Sequence, residues 1–167
     1  FRALADAANA IACLDGPPLT ERRLLLNLPA RAEAVGRPGL AAGLVDLCSR
    51  QVLEAETWQS FAADWSASLS AASKLNDRPQ RLDACRIPYY TRAAAALPEI
   101  FPWRLPRTWA AAECTLGQTS PTRARWQELC HLTGLDEAHF PAQLEALDAY
   151  LDSVEETLDL WGEKYGV

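Results

Sequence analysis

Apolar residues recur along this chain at spacings of three and four, and no segment alternates with period two for long enough to draw a convincing strand. The clearest stripe lies in "EAETWQSFAADWSASLSAASKL", where Trp58, Phe61, Trp65 and Leu69 fall at i, i+3, i+7 and i+11 of a helix predicted over 54–75. Towards the C-terminus Phe140, Leu144, Leu147, Leu151, Val154, Leu158 and Trp161 are spaced 4, 3, 4, 3, 4, 3. That is a single apolar seam three heptads long with acids on the opposite side, so a long amphipathic helix is expected to pack along the domain or along a partner. Its start is set either by Asp136 or by Pro141, and it runs to about Gly162.

Turn residues divide the remainder. An Ala-rich helix over 2–14 ends at "DGPP", and Thr20 caps a second helix reaching about Val35, which Pro29 is expected to kink or split. Gly36 and Pro38 precede a third helix over 39–51. The polar stretch "NDRPQRLDACRIP", 76–88, reads as a connector between helical layers. A helix over 89–97 stops before Pro98, and another over 107–116 is closed by Gly117. Between them, "PEIFPWRLPRTW" is expected to be an extended or turn-like crossover, because each proline disfavours helix in the residue before it. Ser120 and Pro121 then open a helix that ends at Gly134.

The prediction is an all-α chain of about seven to eight helices in one domain. Residues 1–75 would form two hairpins, 76–88 the connector and 89–167 the C-terminal helices. A shift of 36 residues places Leu4 on Leu40, Ala5 on Ala41, Ala8 on Leu44, Ile11 on Leu47, Ala12 on Cys48 and Leu25 on Phe61. Two helices per period near 35 predict stacked hairpins of the tetratricopeptide or pentatricopeptide kind, whose apolar faces are buried only by their neighbours.

With 167 residues the chain can bury roughly two-thirds of its unfolded surface as one domain. No apolar run approaches the roughly 18 residues a membrane helix requires. The net charge of −6 is uneven: Asp136 to Val167 holds nine acids against Lys164 alone, leaving the rest of the chain slightly positive. Such a chain repels phosphate backbones, which argues against nucleic acid as a partner. The acidic end is either a solvated helix face or a surface for a basic protein. The five cysteines are odd in number and form no C-x-x-C pair; four of them fall at apolar positions of predicted helices and read as small hydrophobic residues in a reducing compartment. The sequence begins at Phe1 and contains no Met, as expected of a processed or trimmed chain whose targeting segment has been removed.

Catalytic chemistry is hard to find. His131 and His139 are eight residues apart and form no H-x-x-x-H metal pair, while Cys130 and His131 are adjacent and would diverge by about 100° on a helix. No glycine-rich phosphate loop is present, and no E-x-x-H pair projects from each of two helices as a di-iron bundle would require. The chain is therefore expected not to be an enzyme and to need no cofactor or metal. An enzyme working through Cys130 or His131 is the weakest reading. Of the six tryptophans, Trp58 and Trp65 belong to a core stripe. Trp103 and Trp109, set among Arg104 and Arg107, are candidates for docking a partner protein, together with Trp161 on the last helix.

The blocks "IPYYTRAAAALPEIF", "TWAAAECTLG" and "RWQELCHLTGL" and the terminal "WGEKYGV", following hairpins of period near 35, resemble the pentatricopeptide-like extra subunit of the euglenozoan mitochondrial ATP synthase. The resemblance spans nearly the whole chain in layout, though each block is short. It implies a subunit attached to the outside of the catalytic head through the alpha subunit, on the matrix side of the inner membrane, with no catalytic role. It supplies no catalytic residues to carry over. Pentatricopeptide arrays commonly bind RNA, but this acidic chain with two lysines suits a protein partner better. The alternative is a free-standing bundle that holds a small hydrophobic ligand between its Trp-bearing helices, or binds a protein there.

Overall fold

The computed structural model describes residues 1–20, 23–48, 53–75 and 101–166. Every element among them is helical, and no strand occurs among the described residues. The helices are α1 (Arg2–Cys13), α2 (Leu24–Ala34), α3 (Gly39–Cys48), α4 (Ala55–Leu75), α5 (Phe101–Leu116), α6 (Arg123–Thr133) and α7 (Phe140–Tyr165), with a short 3₁₀ turn at Gly117–Thr119. The 76–88 connector and the 89–97 helix lie outside the described residues, as does Cys85.

The chain forms two compact units, Phe1–Arg50 with Glu137–Val167 and Gln51–Asp136. This division differs from the one drawn from sequence. Helices α3 and α4, expected as one hairpin, fall in separate units, and α3 packs instead on α2, α1 and α7.

In the first unit, Leu4, Ala8 and Ile11 repeat at four and three on α1 and are all buried. Their counterparts Leu40, Leu44 and Leu47 are buried on α3, so the two helices share the inward pattern that the 36-residue shift suggested. Ala8, Ala12 and Ala32 have no exposed surface, and side chains that small let helix axes approach closely. Pro29 does not split α2. It forgoes one backbone hydrogen bond, worth about 3 kcal/mol with its steric clash. Burial of Leu24, Leu28 and Ala32 on the same helix offsets that cost. Gly36, at φ +76°, ends the segment with Arg37 N–H donating to the Ala32 carbonyl at 2.8 Å, a Schellman closure.

Helix α7 is in place, and its start is resolved in favour of Phe140 with Pro141 in the first turn. It continues to Tyr165, past Gly162, and stops at Gly166 with φ +74°. Its buried face is centred on Tyr150, Val154 and Thr157, to one side of the predicted seam. Phe140 and Leu144, at the N-terminal end of that seam, remain 56% and 43% exposed.

The second unit is built on α4 packed along α5, with α6 touching both. Trp58, Phe61, Trp65 and Leu69 all face its core, as their spacing predicts, and meet Leu105, Trp109, Ala112, Leu116 and Leu129. The expected crossover is corrected here: Phe101–Leu116 is one helix with Pro106 inside it. Pro102 is the second residue, where a backbone N–H would have no partner anyway, and Pro106 forfeits only a single early bond. Burial of Trp103, Leu105 and Trp109 more than offsets that loss. Helix α6 begins at Arg123, two residues after the predicted Pro121; the Ser120 hydroxyl donates to a carboxylate on α5 and accepts from the Thr122 N–H at 3.3 Å. Its end at Gly134, φ +74°, is a Schellman closure through Leu135 N–H to the Cys130 carbonyl at 2.8 Å.

Candidate functional site

The five docking candidates are not gathered on one surface. Trp103, Arg104 and Trp109 are interior residues of the second unit, at 2%, 8% and 0% exposure. Arg107 is half-buried on the same helix. Trp161 lies on α7 in the first unit, half-buried, its ring 4.5 Å from that of Tyr165. The reason is the helical state of α5: the extended segment foreseen would have displayed its tryptophans, whereas the helix turns Trp109 to the same inner side as Leu105 and Ala112, and Trp103, on another side of the helix, is buried as well.

What α5 carries is a structural knot. Glu113 is buried, and its Oε1 accepts hydrogen bonds from Ser68 Oγ (3.1 Å), Trp109 Nε1 (3.1 Å), Ser120 Oγ (2.6 Å) and Thr122 Oγ1 (3.0 Å). One oxygen thus ties α4, α5 and the turn into α6. Trp65 Nε1 donates to Thr108 Oγ1 at 2.9 Å, again joining α4 to α5. Phe61 meets Trp109 edge-on at 6.2 Å, and the Arg125 guanidinium lies 4.2 Å above the Phe61 ring while its Nε holds Asp64 at 3.2 Å. These are the contacts of a specified core.

The thiol chemistry weighed from sequence meets an unfavourable setting at Cys130. Burial pushes Cys130 up to about 12, and the carboxylates of Asp136 and Glu113 add to the effect. Cys48 is likewise raised to about 12 by burial. A thiol held protonated in this way is a poor nucleophile near neutral pH. His131 Nδ1 pairs with Asp136 Oδ2 at 2.9 Å, which orients the ring towards that carboxylate and away from a role with Cys130.

A concave feature among the described residues lies within the first unit. Helices α3 and α7 diverge enough to leave an open groove of about 880 Å³. Small residues form much of its surface: Gly39 and Gly43 on α3, and Ala142, Ala146, Ala149 and Ser153 on α7. The last four repeat at 4, 3 and 4, which puts them on one stripe of the helix. Leu40, Leu47 and the Tyr150 ring line it as well. A Cβ added at Gly43 would stand 3.3 Å from the Tyr150 ring, close enough that the ring would have to give by a few tenths of an ångström. The buried Tyr150 hydroxyl has no hydrogen-bond partner, and its pKa is pushed up to about 12, chiefly by burial and then by Cys48. At one end Arg37 pairs with Glu156 across 3.6 Å.

The mark of this groove in the sequence is a stripe of small residues on the most acidic helix, not a stripe of large apolar ones. The alternative of a ligand cavity between the Trp-bearing helices gains no support from this groove, whose lining includes none of Trp58, Trp65 and Trp103. No helix among the described residues is long and apolar enough to cross a membrane. Comparison with protein-family models, with curated proteins and with solved structures gives no match.

Proposed function

We propose that this chain is a non-catalytic helical subunit that holds a partner protein in the groove between α3 and α7. The observation that carries the reading is the groove itself, open and about 880 Å³, with a mostly apolar surface left beside the longest helix of the molecule. Exposed apolar surface in a concave setting marks a place for another molecule. Of the tryptophans that could have competed for that role, Trp58, Trp65 and Trp109 are spent on the second unit's core and Trp103 is buried. By the resemblance of its sequence blocks, the assembly is the mitochondrial ATP synthase and the partner the alpha subunit of its catalytic head, on the matrix side.

The test is to isolate the chain from its native source at high salt, identify its companions by mass spectrometry, and repeat with Ala146→Trp. This position is exposed on the groove wall, so a bulky ring would fill the groove without entering the core. A specific partner kept by the wild type and lost by the variant supports the reading. A partner retained by the variant moves docking away from this groove, and the absence of ATP synthase subunits would dismiss that assembly.

A further inference from the structure

We infer that the element seated in the α3–α7 groove is a basic amphipathic helix of the partner, an inference that rests on the docking reading above. Three observations converge on it. The first is shape. Groove residues on α7 run from Ala142 to Thr157, which spans about 23 Å at 1.5 Å per residue. A volume of about 880 Å³ drawn out over that length is a channel roughly one side chain wide. It suits a row of knobs from one helix face better than a compact molecule.

The second is periodicity. Ala142, Ala146, Ala149 and Ser153 follow the 4, 3, 4 rhythm of holes into which a neighbouring helix inserts large side chains. Gly39 and Gly43 on the facing wall keep the channel free of side chains there. The third is charge. Glu145, Asp152 and Glu156, seven and four apart, form an exposed ridge beside that stripe, and exposed Asp46 stands on the α3 wall. Helix α7 as a whole holds seven acids against Lys164 alone. Arg37 neutralises Glu156 at one end, and the remainder of the rim is complementary to lysine and arginine flanking an apolar face.

The probe is a fluorescein-labelled, 18-residue Leu/Lys peptide patterned as an amphipathic helix, titrated into the whole chain and followed by anisotropy. Two further peptides keep the same leucines with glutamate for lysine, or the same composition in scrambled order. The patterned Leu/Lys peptide is expected to bind at least tenfold tighter than either. Ala146→Trp should abolish binding, and Glu145→Lys with Asp152→Lys should cut it at least tenfold while improving the glutamate peptide. Ala142→Leu serves as a second groove-filling variant should the tryptophan disturb the fold.

Equal binding of the scrambled peptide would mean charge alone, and indifference to both groove-filling variants would mean another surface; either overturns the inference. Displacement of an apolar dye with no peptide binding would assign the groove to a small molecule and overturn it too. A partner lost on Ala146→Trp in the native isolation, but no preference for the basic helix, would retain the docking reading and reject this chemistry.

Discussion

Replacing Glu113 with alanine removes the single acceptor shared by Ser68, Trp109, Ser120 and Thr122. Ser120 is half-buried and can turn to water, but the other three donors are buried and would lose their bond to Oε1. Each buried donor left unsatisfied costs about 1 to 3 kcal/mol. Relief from burying a carboxylate works in the opposite direction, so the net loss is placed at about 2 to 4 kcal/mol. Glu113→Gln keeps a carbonyl oxygen for the four donors but buries an amide where Oε2 has no partner, and should cost about half as much. The assay is urea unfolding followed by tryptophan fluorescence. Five of the six tryptophans belong to the second unit, so the signal reports on that unit almost alone. With a slope near 1 kcal/mol/M, the alanine variant should shift the midpoint by about 2 M or more. A shift worth less than about 0.5 kcal/mol would refute the view that Glu113 knots the unit. Equal losses for alanine and glutamine would show that charge rather than acceptor geometry is what counts.

Alkaline pH should weaken the first unit. Cys48 and Tyr150 are raised to about 12 in the fold, so the stability from their neutral forms is complete below their unfolded values and is lost as pH climbs towards 12. Circular dichroism across pH 8 to 12 should show this loss, and Cys48→Ala should make it shallower. Thiol labelling of the native protein should modify exposed Cys13 and Cys114 well before buried Cys48 and Cys130, as peptide mass mapping would show. Arg37→Ala should change stability by under about 1 kcal/mol in thermal melts, since the Arg37–Glu156 pair is solvent-exposed. Leu44→Ala, at a site with no exposed surface, should cost about 2 to 5 kcal/mol in the same melts.

The helices legible in the sequence were those whose large apolar residues repeat on one side. The Trp58–Leu69 stripe found its core because four bulky residues can face only one way on a helix. The Phe101–Leu116 helix was hidden by its prolines, whose local penalty of about 3 kcal/mol is smaller than what burying two tryptophans and a leucine returns. The 36-residue shift captured the likeness of α1 and α3, but periodicity says nothing about which helix a face meets, and α3 met α7. The α7 seam was offset for the same reason. Tyr150 and Thr157 are polar at one atom and apolar over the rest, so a count of purely apolar positions misses them on the buried side. The groove was invisible because an alanine stripe reads as ordinary helix composition.

The first unit is discontinuous in sequence, with 51–136 lying between its two parts. On a ribosome, α1, α2 and α3 emerge long before α7 exists to pack on α1 and α3. At about 5 to 20 residues per second, the intervening stretch alone takes roughly 4 to 17 s to synthesise. During that interval the three N-terminal helices lack the last helix of their unit, while the inserted stretch already has all its own residues, so the order of synthesis runs against the order in which the two units can be completed.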